Sequence, residues 1–309
     1  ELPEELKGVI QTETDWSKPE GKAFLKAFDQ AFIFDKKINP NAGDRVFRHL
    51  RNKQVGDPKI VPFQSSKSLK DRANISLLNG FSFYETLQEP DGNWAGDYGG
   101  PMFLIPGLVI ASYISDTPFD QPMQVLMKRH LWNHQNEDGG WGLHIEGHST
   151  MFGTVMQYVT LRILGEDLSN PDLKRAQNWI LNHGGAVEIP MWGKFYLSVL
   201  NVYEWEGNDA LLPELWKLPK WAPFHPSKYW CHNRMLYLPM SYCYGHKVKA
   251  KETDLLKDLR KELYITDYHS INWKNARKQA CEIDIFKPVS SWYKGLSHVI
   301  NRYEKMHSK

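Results

Sequence analysis

The chain has 309 residues and a formal net charge of +2, and its aromatic residues, 13% of the chain, include 12 Trp and 14 Tyr. The near-neutral charge gives no electrostatic support for nucleic-acid binding. No apolar run is long enough for a transmembrane helix. The three cysteines show neither metal-ligand spacing nor a disulfide framework, which is typical of a reducing compartment. Because the chain begins at Glu1 rather than Met, we expect it to come from a longer protein.

Residues 1–70 are predicted to be an N-terminal extension with little regular structure. From Ser68 onward, amphipathic runs alternate with short turns rich in Gly, Pro, Asn and Asp, which indicates consecutive helices. Ser149 is predicted to cap the fourth helix, whose apolar residues follow the spacing of one helix face. No alternating strand pattern occurs, so we expect an all-α array of helix pairs. The predicted helices span residues 69–87, 102–114, 121–134, 149–164, 171–183, 193–205, 234–245, 253–264 and 290–307.

A pattern Q-x-x-x-G-x-W occurs twice after predicted helices, with the two copies 47 residues apart, from 88 to 135. Such a period is typical of helix-pair repeats. The glycine is predicted to turn the chain, the tryptophan to bury a ring with one N–H donor, and the glutamine to reach that donor or a neighbouring helix end. We therefore interpret the motif as a structural link between helix pairs. The repeated residues are Gln88, Gly92 and Trp94 in the first copy and Gln135, Gly139 and Trp141 in the second.

A degraded third copy is a further candidate. Gln177 follows Gln135 at a similar spacing, and Gly184 and Gly185 stand where the turn is expected, but no tryptophan follows in register.

Between residues 212 and 226, four prolines alternate with Trp216, Trp221 and Phe224. Proline prevents a long helix here. The aromatic residues and the neighbouring lysines have two interpretations: a rigid connector packed on its own domain, or a surface that faces a membrane interface.

No hydrolytic or metal-binding constellation occurs, and there is no H-E-x-x-H, G-x-G-x-x-G or phosphate-binding loop, so no metal or cofactor is predicted. Aromatic residues cluster near turns instead. One aromatic face stabilises a nearby cation by about 0.5–2 kcal/mol, so several rings around a cavity could guide a carbocation without trapping it. Core packing is the alternative for each ring. The clusters are Trp94 with Tyr98, Trp192 with Tyr196, and Trp230 with His232 and Tyr237.

Further motifs occur in order along the chain: Gly96–Pro101, Gly139–His144, Trp192–Phe195, Asn201–Gly207 and Trp230–Pro239. Together with the repeats, which match the QW motifs, they resemble the oxidosqualene cyclases, the lanosterol and cycloartenol synthases. The resemblance implies an all-α fold, an α/α barrel (toroid) of helix-pair repeats that is one of two barrels. It also implies an isomerase that converts (3S)-2,3-oxidosqualene to a sterol precursor by epoxide protonation and cation–π-guided ring closure, without a cofactor.

The resemblance assigns roles to single residues. Asn233 and Tyr237 would form the gate between substrate channel and cavity, although relatives usually have Cys in place of Asn233. The proton donor of the family belongs to an Asp-Cys-Thr-Ala-Glu motif that is absent here, so no catalytic acid is predicted in this chain and we expect it to be inactive alone. Residues that would line the cavity and stabilise cations are Tyr98, Trp192, Trp230 and His232.

We therefore expect the N-terminal part of an oxidosqualene cyclase. Residues 71–289 would form the barrel repeat domain, and residues 290–309 a helix leading into the catalytic barrel. The implied partners are 2,3-oxidosqualene, a membrane leaflet surface and the C-terminal barrel. The location would be monotopic, at the endoplasmic reticulum or lipid droplet in a eukaryote and at the cytoplasmic membrane in a bacterium. The alternatives are a squalene–hopene cyclase fragment and a non-catalytic α/α scaffold or lipid-binding module.

Overall fold

A computed structural model describes residues 58–62, 68–88, 92, 94, 100–222, 225–288 and 290–307. These ranges contain ten α-helices and no strand, which confirms the predicted all-α class. Closure of the helices into a toroid remains a prediction. The helices are α1 (Leu69–Thr86), α2 (Leu104–Ile114), α3 (Gln121–Asn133), α4 (Met151–Ile163), α5 (Pro171–Asn182), α6 (Met191–Val199), α7 (Cys231–His246), α8 (Asp254–Glu262), α9 (Trp273–Ala276) and α10 (Ser291–His307).

The chain divides into two compact units, residues 1–101 and 102–309. In the first unit, the Ser68 side chain caps α1 by accepting the N–H of Asp71 at 3.2 Å. Among the residues of α1, Ile75 is buried and most others are exposed. The main hydrophobic core therefore lies in the second unit.

That core is centred on α4, which packs against α2, α5, α6 and α8. Val155 and Met156 are buried, as the predicted apolar face requires, but Thr154 and Thr160 are buried as well. The helix is therefore surrounded by protein rather than amphipathic. These two threonines are hydrogen-bonded internally: Thr154 accepts the N–H of Trp141 at 3.1 Å, and Thr160 donates to the carbonyl of Met156 at 2.7 Å.

The start of α4 differs from the prediction. Thr150 is the N-cap, because its hydroxyl accepts the N–H of Gly153 at 3.0 Å. The prediction of Ser149 is wrong because that hydroxyl donates to the carboxylate of Asp138 at 2.7 Å. The first two N–H groups of the helix are bound instead by Asp284, at 2.7 and 2.9 Å. A side chain distant in sequence thus completes the cap.

Helix α6 ends well before the predicted residue 205. Asn201 has a φ of +67°, and the N–H of Val202 returns to the carbonyl of Leu197 at 2.8 Å. This is a Schellman motif, in which a left-handed residue stops the helix and satisfies its last carbonyls. An asparagine tolerates this conformation better than most residues, so the chain turns here although apolar residues continue.

The proline-rich stretch forms short 3-10 turns at Pro213–Lys217 and Pro226–Lys228, as fixed proline backbones allow. The next helix, α7, begins at Cys231 rather than at the predicted residue 234. In the part of the chain that the structure describes, no helix combines the length and apolar character needed to cross a bilayer.

Candidate functional site

The second repeat closes the end of α3 with two side chains. Trp141 is fully buried, and its indole N–H donates to the carbonyl of Leu131 at 2.7 Å. The Gln135 amide donates to the carbonyl of Gly139 at 2.8 Å and to that of Asp172, in the first turn of α5, at 3.0 Å. Gly139 has a φ of +93°, a conformation that favours glycine. The motif therefore fixes the turn after α3 and joins it to α5.

Two of these hydrogen bonds, those within the motif and to the preceding helix, also occur in the first repeat, at the end of α1. Gln88 donates to the carbonyl of Gly92 at 2.7 Å, and the indole N–H of Trp94 donates to the carbonyl of Tyr84 at 2.8 Å. The rings of Trp94 and Tyr84 lie 5.9 Å apart. Unlike its counterpart, Trp94 is 46% exposed. The hydrogen bonds repeat, but the burial does not.

The candidate third copy has a different geometry. Gln177 lies inside α5 and donates to the carbonyl of Glu262, the last residue of α8, at 3.2 Å. Its amide therefore links two helices instead of closing the turn that follows its own helix.

An apolar pocket of about 160 Å³ lies in the second unit, between α6 and α7. It brings together three residues that the sequence predicts: Trp192 from α6, and Asn233 and Tyr237 from α7. Their convergence makes this pocket the candidate site. The lining residues are Met191, Trp192, Leu211, Tyr229, Asn233, Leu236, Tyr237 and Met240.

Tyr237 is held in a fixed position. Its hydroxyl donates to the carbonyl of Leu212 at 3.0 Å, and its ring meets that of Tyr229 edge-on at 5.7 Å. Burial raises the pKa of the Tyr237 phenol well above its ordinary value, and Tyr229 and Glu214 raise it further. The side chain therefore stays neutral and presents an aromatic ring without a charge.

Trp192 stands in the first turn of α6 and is 43% exposed. On the same helix, Met191 and Phe195 pack against a small apolar cluster that contains Trp205 and Met240. The indole thus has a packed neighbourhood and an accessible surface. An aromatic face in such a position can stabilise a cation.

The other predicted cavity residues lie elsewhere or outside the described residues. Trp230 is 69% exposed, precedes the first residue of α7, and has its ring 4.5 Å from that of His232. These two side chains pair with each other and are not among those that line the pocket. Tyr98 lies outside the described residues.

The pocket is suited to an apolar or cationic ligand rather than to acid–base chemistry. No carboxyl, imidazole or amino side chain is among its lining residues, and Asn233 is the one amide. Among the described residues, no cluster of three or more His, Cys, Asp or Glu side chains could hold a metal ion. The described part of this pocket can therefore surround a cation, but its only O–H donors are tyrosine phenols, which are weak acids for protonating an epoxide.

Sequence reasoning missed several lining residues that share one helix face. Asn233, Leu236, Tyr237 and Met240 follow the spacing i, i+3, i+4, i+7 on α7. That spacing is visible in the sequence and could have extended the predicted gate by two residues. Met191, Leu211 and Tyr229 carry no comparable signal.

The opposite face of α7 is apolar and exposed. Met235, Leu238 and Tyr242 are 70%, 53% and 60% exposed, and Trp221 is 79% exposed. The half-buried Trp216, in contrast, has its ring 6.4 Å from that of Tyr237 and 6.5 Å from that of His225. The proline-rich stretch thus has one aromatic ring packed on the protein and one exposed, and Phe224 lies outside the described residues.

Comparison with known proteins identifies the family. Residues 82–309 match the family model described as the squalene-hopene cyclase N-terminal domain. The chain is 50% identical over 283 residues to lanosterol synthase of Homo sapiens, covering 88% of this chain and 39% of that protein. It is 46% identical over 235 residues to cycloartenol synthase of Dictyostelium discoideum, covering 76% and 33%. An alpha-onocerin synthase of Lycopodium clavatum is 46% identical over 234 residues, covering 74% and 30%.

The chain thus spans between about a third and two fifths of the length of these curated synthases. The match covers the pocket and the second repeat in full. The chain belongs to the squalene-hopene cyclase N-terminal domain family and corresponds to the N-terminal portion of an oxidosqualene cyclase.

Proposed function

We propose that this chain is part of an oxidosqualene cyclase that converts (3S)-2,3-oxidosqualene to a sterol precursor such as lanosterol or cycloartenol. The observation that carries the proposal is the apolar pocket in which Trp192, Asn233 and Tyr237 meet. The relatives support it, because two of them are named lanosterol synthase and cycloartenol synthase. An apolar wall with aromatic rings suits a flexible hydrocarbon that becomes a cation during cyclisation.

In this proposal the chain supplies part of the cavity wall. Trp192 stabilises positive charge through its ring, and Asn233 and Tyr237 form the gate through which the substrate passes. Tyr98, Trp230 and His232 would complete the wall in the whole protein. The acid that opens the epoxide would come from the C-terminal barrel, since the pocket contains no proton donor of sufficient strength. The isomerase activity would then belong to the two barrels together.

The domain organisation follows from the same proposal. Residues 71–289 form a toroid of helix pairs linked by the QW motifs, residues 290–309 lead into the catalytic barrel, and residues 1–70 precede the toroid. The regular use of the motif after α1 and α3 supports a repeat array.

Membrane attachment is part of the proposal. The exposed apolar face of α7 and the exposed ring of Trp221 support contact with one leaflet, because such apolar surfaces are costly to leave in water. The gate residues Asn233 and Tyr237 lie on the other face of α7. Substrate dissolved in the bilayer would then reach the gate by passing around this helix. A monotopic location at the endoplasmic reticulum, a lipid droplet or a bacterial cytoplasmic membrane is consistent with this arrangement.

The test is cyclisation of 2,3-oxidosqualene in detergent, followed by gas chromatography–mass spectrometry. We expect no product from the 309-residue chain and product when the C-terminal barrel is supplied in trans or in a single chain. Product from the chain alone would contradict the proposed division of roles. Squalene is the matched second substrate, because the family model is named for squalene–hopene cyclase; cyclisation of squalene but not of its epoxide would favour that alternative.

A further inference from the structure

Lys194 is a buried lysine that the proposed chemistry does not use. The residue is 3% exposed, although it lies two positions after Trp192 on α6. Its ammonium group donates to the carbonyl oxygens of Ala276 and Gln279, each at 2.7 Å, and to that of Arg277 at 3.4 Å. Among the described residues, no carboxylate forms an ion pair with it. Burying a cation is costly, and these three carbonyl oxygens, called the carbonyl cradle below, are its main compensation.

The segment that forms this cradle is itself firmly held. The N–H of Cys281 donates to the carbonyl of Glu188 at 2.8 Å. The guanidinium of Arg277 bonds the carboxylate of Glu304 at 3.0 Å and the amide oxygen of Asn301 at 2.9 Å, both on α10. Lys194 thus ties the start of α6 to a segment that has independent anchors.

The first turn of α6 is also packed closely against the protein on the side of Gly193. Gly193 approaches so closely that an added Cβ would stand 2.1 Å from Ile189 and 3.3 Å from Phe152. Positions two apart on an α-helix point in nearly opposite directions, so Trp192 faces the pocket while Lys194 faces the core. The hydrogen bonds of Lys194 to the core therefore help to set the distance between the first turn of α6 and the pocket, and with it the position of the Trp192 indole.

We infer that Lys194 is a positioning residue for the pocket wall: its ammonium group holds α6 against residues 276–279 and thereby fixes the place of the Trp192 ring. The consequence for cyclisation rests on the proposed function, whereas the structural link does not. Removing a proton leaves an amine with two N–H groups and a lone pair facing three carbonyl oxygens, so at least one contact must lengthen and α6 must shift.

The contact between Lys194 and residues 276–279 should change with pH in an experimentally accessible range. Burial lowers the pKa of Lys194 to about 8; of the charged groups that face it, Asp209 and Glu188 act to raise the pKa and Arg277 acts to lower it. Below this pH the ammonium group therefore donates to all three carbonyl oxygens, and above it the neutral amine has only two N–H donors for them. An arginine at the same position keeps its charge at every accessible pH.

The experiment uses the 309-residue chain labelled with 5-fluorotryptophan and followed by ¹⁹F nuclear magnetic resonance between pH 6.5 and 9.5. The Trp192 resonance is assigned with Trp192→Phe. We expect it to shift by more than its line width with a midpoint near pH 8, and to stay constant in Lys194→Arg. The resonance of Trp141, which is held in the main core, serves as the internal control.

The inference is overturned if the Trp192 resonance does not titrate, or if it titrates equally in Lys194→Arg. Lys194→Gln, which is neutral at all these pH values, should give a displaced and pH-independent Trp192 signal. The wild-type titration still decides the question if this variant fails to fold. In the complete cyclase, the ratio of products should vary with pH in the wild type and not in Lys194→Arg; titration of the indole without a change in products contradicts the proposed role of Trp192 and leaves the positioning role intact.

Discussion

The indole nitrogen of Trp141 donates a 2.7 Å hydrogen bond to the carbonyl oxygen of Leu131, in the last turn of α3. The same carbonyl also accepts the backbone N–H of His134 at 3.1 Å, so the indole is its second donor and ties the following loop back onto the end of the helix. Trp94 and Tyr84 repeat the relationship at the end of α1, at 2.8 Å. The two copies differ in burial, since Trp141 is fully buried and Trp94 is 46% exposed.

Replacing the two tryptophans by alanine should therefore have unequal effects. Trp141→Ala should lower the free energy of unfolding by about 3–5 kcal/mol, because it leaves a large cavity in the core. Trp94→Ala should cost about 1–2 kcal/mol, since roughly half of the ring is already in water. Urea unfolding followed by circular dichroism measures both values. Equal losses would show that burial is not what separates the two copies.

Trp141→Phe isolates the hydrogen bond from the packing. It removes the N–H donor and leaves most of the ring, so we expect a loss of about 1–2 kcal/mol from the lost hydrogen bond and the smaller side chain, while the N–H of His134 still donates to the carbonyl of Leu131. A loss as large as that of the alanine variant would mean that the bond to Leu131 dominates.

Asp138, in the same motif, makes the fold sensitive to acid. Its carboxylate accepts from the Ser149 hydroxyl at 2.7 Å, the Gly140 N–H at 3.0 Å and the Trp179 indole at 3.0 Å. Burial acts to raise the pKa of Asp138, but these hydrogen bonds outweigh it and the pKa lies below its ordinary value of 3.8. The ionised form is thus bound more tightly in the folded state than the neutral form.

Asp138→Asn should therefore reduce stability at pH 7 by about 1 kcal/mol or less, because charged acceptors form stronger hydrogen bonds than neutral ones but this side chain is exposed and solvent screens its charge. The contribution of the carboxylate is fully present above the unfolded pKa of about 3.9 and is lost as the pH falls through the lower folded value. The difference between variant and wild type should accordingly shrink below pH 4. Thermal unfolding at several pH values measures it, and the exposed Glu146→Gln in the same loop is the control. A difference that is constant with pH would contradict the role of the charge.

The sequence predicted nine of the ten helices that the described residues contain, missing the one-turn α9, and it did not predict every helix end. Periodicity places α4 and α5 within two residues of their observed limits. It cannot choose between Ser149 and Thr150 as a cap, because the choice depends on Asp138 and on the distant Asp284. The local sequence shows which residues are able to cap the helix, and tertiary contacts decide which of them does so.

The candidate site shows the same limit. The resemblance to known cyclases supplied Trp192, Asn233 and Tyr237, which the fold brings to one pocket. The resemblance gave no indication of a role for Lys194, because a lysine next to aromatic residues is normally predicted to be exposed to solvent. Its burial depends on carbonyls more than eighty residues away.

The exposed face of α7 leads to a prediction about membranes. The double variant Trp221→Ser with Met235→Ser should weaken binding of the chain to phosphatidylcholine vesicles by tenfold or more, because burying one large apolar side chain contributes about 1.5–3 kcal/mol. The matched control is Ile265→Ser with Phe286→Ser, which removes two apolar side chains that are each 64% exposed. Vesicle flotation measures the bound fraction. Equal losses in both double variants would point to general hydrophobicity instead of this face.

The pocket itself gives the most direct prediction about catalysis. In the complete cyclase, Trp192→Leu keeps an apolar side chain but removes the ring face that would stabilise the cation. A cation–π contact of about 0.5–2 kcal/mol corresponds to a rate loss of about 2–30-fold. We expect kcat to fall by this factor and the share of prematurely terminated products to rise. Trp292→Leu, which changes an indole that is 66% exposed on α10, is the control. Rates and products are measured with 2,3-oxidosqualene by gas chromatography–mass spectrometry. An effect on KM alone would assign Trp192 to binding of the hydrocarbon rather than to stabilisation of the charge.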